Sequence, residues 1–265
     1  MSFSINGKTA IVTGAANGVG LAIARHFVAQ GANVMFADMD DARLVKEVDG
    51  QDDAVRYFAG DLRQKLTLAN LLSATIDAFD RVDILVNASR QMVASDPLNP
   101  EDDAVEMLLE QNLMTSLRLS QLVAKRMIKQ AEESDAQGSA GSIINLSSIA
   151  ARRTHPDLMG YSVSSAALDQ MTRSLAVALA PYAIRVNAVA FGSVLSSSLK
   201  SALKENSDFR TDIVEHTPLR RIAKPSEVAE AVQFLASDGA GFITGQIMTV
   251  DGGRTLLDPV NAPAH

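Results

Sequence analysis

Short runs of apolar residues alternate along this chain with longer segments in which apolar residues recur at helical spacing. The short runs have the length of buried strands, and the longer segments have the length of helices that cover one face of a sheet. Strands that alternate with helices are typical of βαβ units, which place their strands parallel to one another. The pattern therefore predicts a single doubly wound α/β domain over residues 1–265, with a seven-stranded parallel sheet and helices on both faces.

The predicted elements follow from this alternation. The strands are expected at residues 9–13, 33–37, 54–59, 83–87, 142–146, 184–189 and 246–250. The helices are expected at residues 19–30, 42–48, 65–79, 101–132, 161–179 and 226–236. Residues 192–218 are rich in serine and lysine and are predicted to be an irregular excursion after the sixth strand. Because ligands bind beyond the carboxyl ends of parallel strands, this excursion is a candidate substrate lid, the alternative being a plain surface loop.

Composition and charge narrow the class of protein. The chain has a net charge of −7 and no cysteine, so it has no disulfide framework, and binding to a phosphate backbone is disfavoured. No basic region followed by a long apolar stretch opens the chain, and no apolar run approaches the ~20 residues that span a bilayer. We expect a soluble, cytoplasmic protein with no nucleic-acid or membrane partner and no metal site.

A glycine-rich turn lies between the first predicted strand and the first predicted helix. Glycine permits a sharp turn and lets backbone N–H groups come close to a pyrophosphate, which the positive end of a helix dipole also attracts. A Rossmann-like dinucleotide site is thus predicted, unless the turn is only structural. Its expected contacts are Gly14, Asn17, Gly18, Val19 and Gly20.

Asp38 stands at the end of the second predicted strand, 18 residues after Gly20. A carboxylate at this place can accept hydrogen bonds from both hydroxyls of the adenosine ribose, and it would repel a 2′-phosphate. This favours NAD(H) over NADP(H). The alternative is a solvated acidic turn, since Asp40 and Asp41 follow closely.

With these motifs in order, the chain resembles the short-chain dehydrogenase/reductase family over nearly its whole length. TGxxxGxG at residues 13–20 is the family's glycine spacing, and Tyr161 follows Ser148 by 13 residues, which is the family's offset. The other matching landmarks are Asp61-Leu62, Asn87-Ala88-Ser89-Arg90 in the place of NNAG, Asn112, and the stretches 184–192 and 243–253.

The resemblance implies an oxidoreductase that transfers a hydride between NAD(H) and a small alcohol or carbonyl substrate. In this family's mechanism Tyr161 would be the general acid/base, Ser148 would hydrogen-bond the reacting oxygen, and Asn112 would hold a water in the proton relay. Ser147 is then the structural hydroxyl of the serine pair. The resemblance also implies cofactor contacts at Asp61, Leu62, Asn87, Ala88, Ser89, Tyr161, Ser165, Gly192 and Val194.

Family members commonly form tetramers through two long helices, here residues 103–130 and 161–179. A homo-oligomer, either a tetramer or a dimer, is therefore implied. Within the second helix an apolar stripe recurs at helical spacing, and it fits a buried interface or a core face nearly equally well. The stripe consists of Leu168, Met171, Leu175 and Leu179.

Three positions depart from the family pattern. Ser165 stands where the YxxxK motif has its lysine, Arg90 replaces the glycine of NNAG, and Phe191 replaces the proline of a PG turn. The family's lysine binds the nicotinamide ribose, and its charge favours ionisation of the tyrosine. A unit charge at about 5 Å is worth roughly 3 kcal/mol in an effective dielectric near 20, so its loss matters.

Two hypotheses remain for the chemistry. In the first, the protein is a retuned or impaired oxidoreductase: Arg90, Arg152 or Arg153 supplies a substitute cation, or else the protein binds NAD and is a slow or inactive catalyst. In the second, it is a non-catalytic NAD-binding pseudoenzyme or an assembly protein.

Overall fold

Parallel strands form the centre of the protein. They are β1 (Thr9–Thr13), β2 (Asn33–Asp38), β3 (Val55–Ala59), β4 (Ile84–Asn87), β5 (Gly141–Ser148), β6 (Ile184–Phe191) and β7 (Ile247–Val250). The computed structural model describes residues 2–134 and 138–258, and these residues form a seven-stranded parallel sheet in the order β3-β2-β1-β4-β5-β6-β7. The strand order changes direction between β1 and β4, which is where such sheets bind ligands. The predicted fold class is confirmed.

Helices connect the strands and cover the sheet. They are α1 (Gly18–Ala29), α2 (Asp41–Val48), α3 (Lys65–Phe79), α4 (Ala104–Leu108), α5 (Thr115–Ser134), α6 (Met159–Leu179), α7 (Ser197–Glu205), α8 (Asp208–Glu215) and α9 (Pro225–Ala236). A π-helical segment, Leu109–Met114, joins α4 to α5.

The hydrophobic core lies on both faces of the sheet. In β1, Ala10 and Val12 belong to one buried cluster, which also contains residues of α1, α2 and α9. Ile11, between them, belongs to a second cluster, with residues of α3, α5 and α6. Successive side chains of a strand point to opposite faces, so burial of a whole strand requires a layer of helices on each side.

The excursion after β6 differs from the prediction. Residues 192–218 contain α7 and α8, so the expectation of an irregular segment was wrong. The hydroxyl of Ser196 caps α7 by accepting from the backbone N–H of Leu199. Leu195, Leu199 and Leu203 recur every four residues, a helical period that the high serine and lysine content hid.

The apolar stripe of α6 faces the protein's own core. Leu168 and Met171 are buried, and Leu175 and Leu179 pack against the second cluster. Of the two interpretations of the stripe, the structure supports the core face. The apolar side chains of α6 that stay exposed are others, including Val163 and Val177.

Among residues 2–134 and 138–258, no helix combines the length and the apolar character that crossing a membrane requires.

Candidate active site

The glycine turn after β1 is shaped by close backbone contacts. Gly14 has φ +66°, and a Cβ at this position would lie 2.7 Å from the carbonyl oxygen of Ala88. A Cβ at Gly20 would lie 2.2 Å from the carbonyl oxygen of Gly14. A side chain at either position would therefore displace the turn from the end of β4 or from α1.

Thr13 ties this turn to the neighbouring strand. Its hydroxyl oxygen accepts hydrogen bonds from the backbone N–H groups of Ala88, at 2.9 Å, and Ser89, at 3.0 Å. The same hydroxyl donates to the carbonyl of Val86, at 3.4 Å. The ends of β1 and β4 are thus held together beside the glycine turn.

The amino end of α1 offers free donors. Asn17 precedes the helix in an extended conformation, its side chain makes no capping hydrogen bond, and the first turn carries no acidic residue. The first N–H groups of a helix have no partner within the helix, so here they are available to an anion. This observation fits a bound dinucleotide pyrophosphate, with Gly18, Val19 and Gly20 in the first turn.

Asp38, at the carboxyl end of β2, faces the same turn. Its Oδ2 accepts from the N–H of Ala16 at 3.1 Å, and its Oδ1 accepts from the N–H groups of Met39 and Asp40, at 2.7 and 3.2 Å. Asp40 has a different task, since its side chain caps α2 by accepting from the N–H of Arg43. The Asp38 carboxylate is therefore fixed against the glycine turn, and the alternative of a solvated acidic turn does not describe it.

Asp61 and Leu62 follow β3. The carboxylate of Asp61 accepts from the guanidinium of Arg63, with the shortest bond at 2.8 Å, and this hydrogen bond lowers the pKa of Asp61. The side chain of Leu62 is buried in the second hydrophobic cluster. A ligand could therefore contact the backbone of Leu62 and the part of Asp61 that Arg63 does not cover.

Asn87, at the end of β4, points into the core. Its amide donates to the hydroxyl of Ser120 at 3.0 Å and to Asn145 Oδ1 at 2.8 Å. These bonds join β4 to α5 and β5, so the side chain of Asn87 holds the scaffold together. Of the three residues expected here as cofactor contacts, Ala88 and Ser89 are those whose backbone lies against the glycine turn.

The expected catalytic hydroxyls come from β5 and α6. Ser148 ends β5, and its Oγ accepts from the N–H of Ala150 at 3.1 Å. Tyr161 lies in the first turn of α6 with a buried side chain, 3% exposed. Both residues are thus placed at the carboxyl end of the sheet, where the glycine turn also lies.

Asn112 lies in the π-helical segment. Its side chain accepts from the N–H of Gln91 at 2.8 Å and donates to the Gln91 carbonyl at 2.9 Å. It also lies 3.3 Å from the hydroxyl of Ser164, three residues after Tyr161. Asn112 therefore joins the loop after β4 to α6, close to the expected acid/base.

The three departures from the family pattern surround Tyr161. The guanidinium carbon of Arg90 lies 4.2 Å from the ring centroid of Phe191 and 5.5 Å from that of Tyr161. Its Nη1 donates to the carbonyl of Ser147 at 3.0 Å. Ser165, one turn after Tyr161, is buried, and its hydroxyl bonds to no residue that the structure describes.

Asp169 is a buried acid that sequence reasoning missed. Its Oδ1 accepts from the hydroxyl of Ser147 at 2.6 Å, and Arg152 lies 3.9 Å from its Oδ2. Burial raises the pKa of Asp169, against the opposing effects of Ser147 and Arg152. The available signal was a charged residue on the face of α6 that Tyr161 and Ser165 share. The bond also gives Ser147 the structural role expected for it.

Gly192 and Val194 follow β6. The N–H of Gly192 donates to the carbonyl of Val250 at 3.1 Å, and Val194 is buried and forms an isolated bridge to Ala223. This segment therefore leaves the sheet beside β7 before it enters α7.

Comparison with known proteins identifies the family. The family model described as enoyl-(acyl carrier protein) reductase matches residues 14–255. The chain belongs to the short-chain dehydrogenase/reductase family. It is 33% identical to the 7alpha-hydroxysteroid dehydrogenase of Escherichia coli (strain K12), over 94% of each chain. It is 31% identical to a 3-oxoacyl-[acyl-carrier-protein] reductase of Thermotoga maritima, over 95% of this chain and 99% of the relative.

A solved structure of this family has the same fold. The 7 alpha-hydroxysteroid dehydrogenase complexed with NADH and 7-oxo glycochenodeoxycholic acid superposes with a TM-score of 0.87 and 32% identity. The match covers 95% of this chain and 96% of that one. As a short-chain dehydrogenase/reductase, the protein is an oxidoreductase that transfers a hydride. The relatives described here are dehydrogenases or reductases, and none supports the non-catalytic alternative.

Proposed function

We propose that the protein transfers a hydride between NAD(H) and a small alcohol or carbonyl compound, with Tyr161, Ser148 and Asn112 as its catalytic residues. One observation carries this proposal. The edge of the sheet that holds Asp38 and the free N–H groups of α1 also holds the buried Tyr161 and, at the end of β5, Ser148. A dinucleotide site and an acid/base are thus neighbours.

Each catalytic residue has a distinct task. Tyr161 gives a proton to the substrate oxygen, or takes one from it, and Ser148 hydrogen-bonds that oxygen. Asn112, bonded to the Gln91 backbone, holds a water that carries the proton onward. When bound, the nicotinamide supplies or accepts the hydride.

Asp38 supports NAD(H) as the cofactor. Its carboxylate is fixed against the glycine turn by three backbone N–H groups, so a 2′-phosphate there would meet a negative charge. The nearby cation, Arg43, is engaged with Asp40 at 3.2 Å.

The substrate is proposed to be partly apolar. The segment of α7 and α8 follows β6 at the carboxyl edge of the sheet and carries Leu195, Leu199 and Leu203. As a lid, it would cover a bound substrate with these side chains. The bile-acid ketone in the related structure makes hydroxysteroids one class to include in an assay.

We further infer a cytoplasmic homo-oligomer, a tetramer or a dimer. The absence of cysteine from the sequence suits a reducing compartment. Val163 and Val177 on α6 are 43% and 78% exposed, which leaves apolar surface for a second copy.

The test is to titrate NAD(H) and NADP(H) against thermal stability, and then to assay alcohols and ketones at neutral and alkaline pH. We expect stabilisation by NADH at lower concentration than by NADPH, and turnover that rises toward alkaline pH. Asp38→Asn should reduce the preference for NADH, whereas Asp41→Asn, on the exposed start of α2, should keep it. Tyr161→Phe should abolish turnover and keep NADH binding. Binding without turnover on the whole panel would overturn the proposal.

A further inference from the structure

Arg90 lies beside the proposed acid/base. Its guanidinium carbon lies 5.5 Å from the ring centroid of Tyr161, and that ring is 3% exposed. Resting on the proposed function, we propose that Arg90 is a positioning residue for Tyr161. It holds the phenol ring and supplies the positive charge that stabilises the phenolate.

Several contacts hold the guanidinium in this position. It stacks on Phe191 at 4.2 Å from the ring centroid, and its Nη1 donates to the carbonyl of Ser147 at 3.0 Å. Phe191 lies opposite Ser148 in the register of β5 and β6. The stack of Arg90 on Phe191 is therefore next to the strand end that carries Ser148. A cation held against an aromatic face and a carbonyl keeps its charge in one place, whereas a free surface arginine does not.

The other cations near the site are engaged elsewhere. Arg152 donates to the hydroxyl of Thr249 at 3.1 Å and lies 3.9 Å from Asp169. Arg153, which is exposed, donates to the carbonyl of Thr255. Of the three arginines that follow from sequence reasoning as substitutes for a lysine, Arg90 is the one that contacts Tyr161.

The elements packed against α6 near Tyr161 bring few other charges. Together with α6 itself and the flanking Arg152, they carry Glu106, Glu110, Asp157, Asp169, Arg173 and, at the amino end of β6, Arg185. Glu110 is paired with Arg118, and Asp169 is bonded to Ser147 and lies beside Arg152. Arg90 is the charged side chain whose guanidinium lies over the Tyr161 ring.

This arrangement explains how the site can lack a charge at Ser165. That residue is buried one helical turn after Tyr161, where a lysine would bring a cation from within α6. Arg90 supplies the cation from the loop after β4 instead, and its guanidinium stacks on the ring of Phe191. In an effective dielectric near 20, a unit charge about 5 Å from an ionising atom changes its ionisation equilibrium by about a hundredfold.

The experiment compares Arg90→Gln, Arg90→Lys, Ser165→Lys and the double variant Arg90→Gln/Ser165→Lys. Arg153→Gln is the matched control, because it removes a neighbouring guanidinium that does not contact Tyr161. Two readouts are measured for each: the pH profile of kcat, and the near-ultraviolet phenolate absorbance that is lost in Tyr161→Phe. The second readout needs no turnover.

We expect Arg90→Gln to lower kcat near neutral pH by about tenfold to a hundredfold, with a loss that shrinks at alkaline pH. The Tyr161 phenolate should then form at higher pH than in the wild type. Arg90→Lys should keep part of the activity. Ser165→Lys should restore most of the loss in the double variant.

An unchanged phenolate titration in Arg90→Gln would overturn the inference, whatever the turnover. So would an effect confined to the KM of acidic substrates, which would make Arg90 a substrate anchor. If the wild type binds NADH, shows no turnover, and still has the Arg90-dependent phenolate titration, then the proposed function fails and the inference stands.

Discussion

The glycine turn depends on contacts of single atoms. Gly14 combines a positive φ with a backbone approach to Ala88 that leaves no room for a methyl group. Gly50 also has a positive φ, of +74°, but a Cβ there would meet nothing within 4 Å. The two glycines therefore separate the cost of backbone strain from the cost of lost close contact.

We expect Gly14→Ala to destabilise the protein more than Gly50→Ala, and to weaken NADH binding as well. Strain alone costs about 1 kcal/mol, and displacement of the β4 end adds roughly 1–3 kcal/mol. Chemical denaturation and NADH titration of both variants measure this. Equal losses of stability with unchanged NADH binding would show that the approach to Ala88 has no part in the cofactor site.

At the scale of elements, Asp169 joins α6 to β5 next to the proposed catalytic serine. Its bond to Ser147 and its proximity to Arg152 connect the strand that carries Ser148 with the helix that carries Tyr161. The bond therefore fixes how α6 lies along the end of β5. Because the carboxyl is buried, this connection is sensitive to pH.

Burial raises the pKa of Asp169 above its usual 3.8, so the folded protein holds its proton more tightly than the unfolded chain does. The contribution of Asp169 to the free energy of unfolding is then greatest below pH 3.8 and falls as the pH rises through the folded pKa. Asp169→Asn keeps an acceptor for Ser147 and removes this titration. We expect the stability of the variant relative to the wild type to increase with pH above 3.8, measured by denaturation across that range. A difference that is constant with pH would contradict the assigned cause.

At the scale of the whole molecule, the apolar surface of α6 that stays exposed is relevant to the assembly of several copies of the chain. The buried stripe of α6 packs against the second cluster of the core through Leu175 and Leu179, while Val177 on the same helix remains 78% exposed. A helix that is apolar on a second face is expected to meet a partner.

We expect Val177→Asp to shift the protein toward smaller species, because the substitution would bury a charge in the proposed contact between copies. Val45→Asp on α2 is the control, since Val45 is 44% exposed and lies outside the two helices of the predicted contact. Light scattering after size-exclusion chromatography measures both variants. The same mass for wild type and Val177→Asp would exclude this face as the contact.

Much of the fold and of the candidate site follows from the sequence alone. The alternation of apolar runs with segments of helical period is visible within short stretches of the chain. It predicts the strands and most helices because the burial pattern of each element is written in its own consecutive residues. The glycine turn and Asp38 are likewise found from spacing along the chain. Residues 192–218 were misjudged because composition there outweighed a helical period of leucines, and the π-helical segment around Asn112 leaves no mark in the pattern.

The tertiary structure decided which distant side chains meet. Arg90 and Phe191 each look like an isolated departure from a family pattern, yet they are stacked, with Tyr161 against the same guanidinium. Likewise, the partner of Ser147 is Asp169, which lies on another element. Sequence periodicity gives the face on which a side chain lies, but contact between elements depends on strand order and side-chain direction. Those are set only when the sheet is assembled and its helices pack on it.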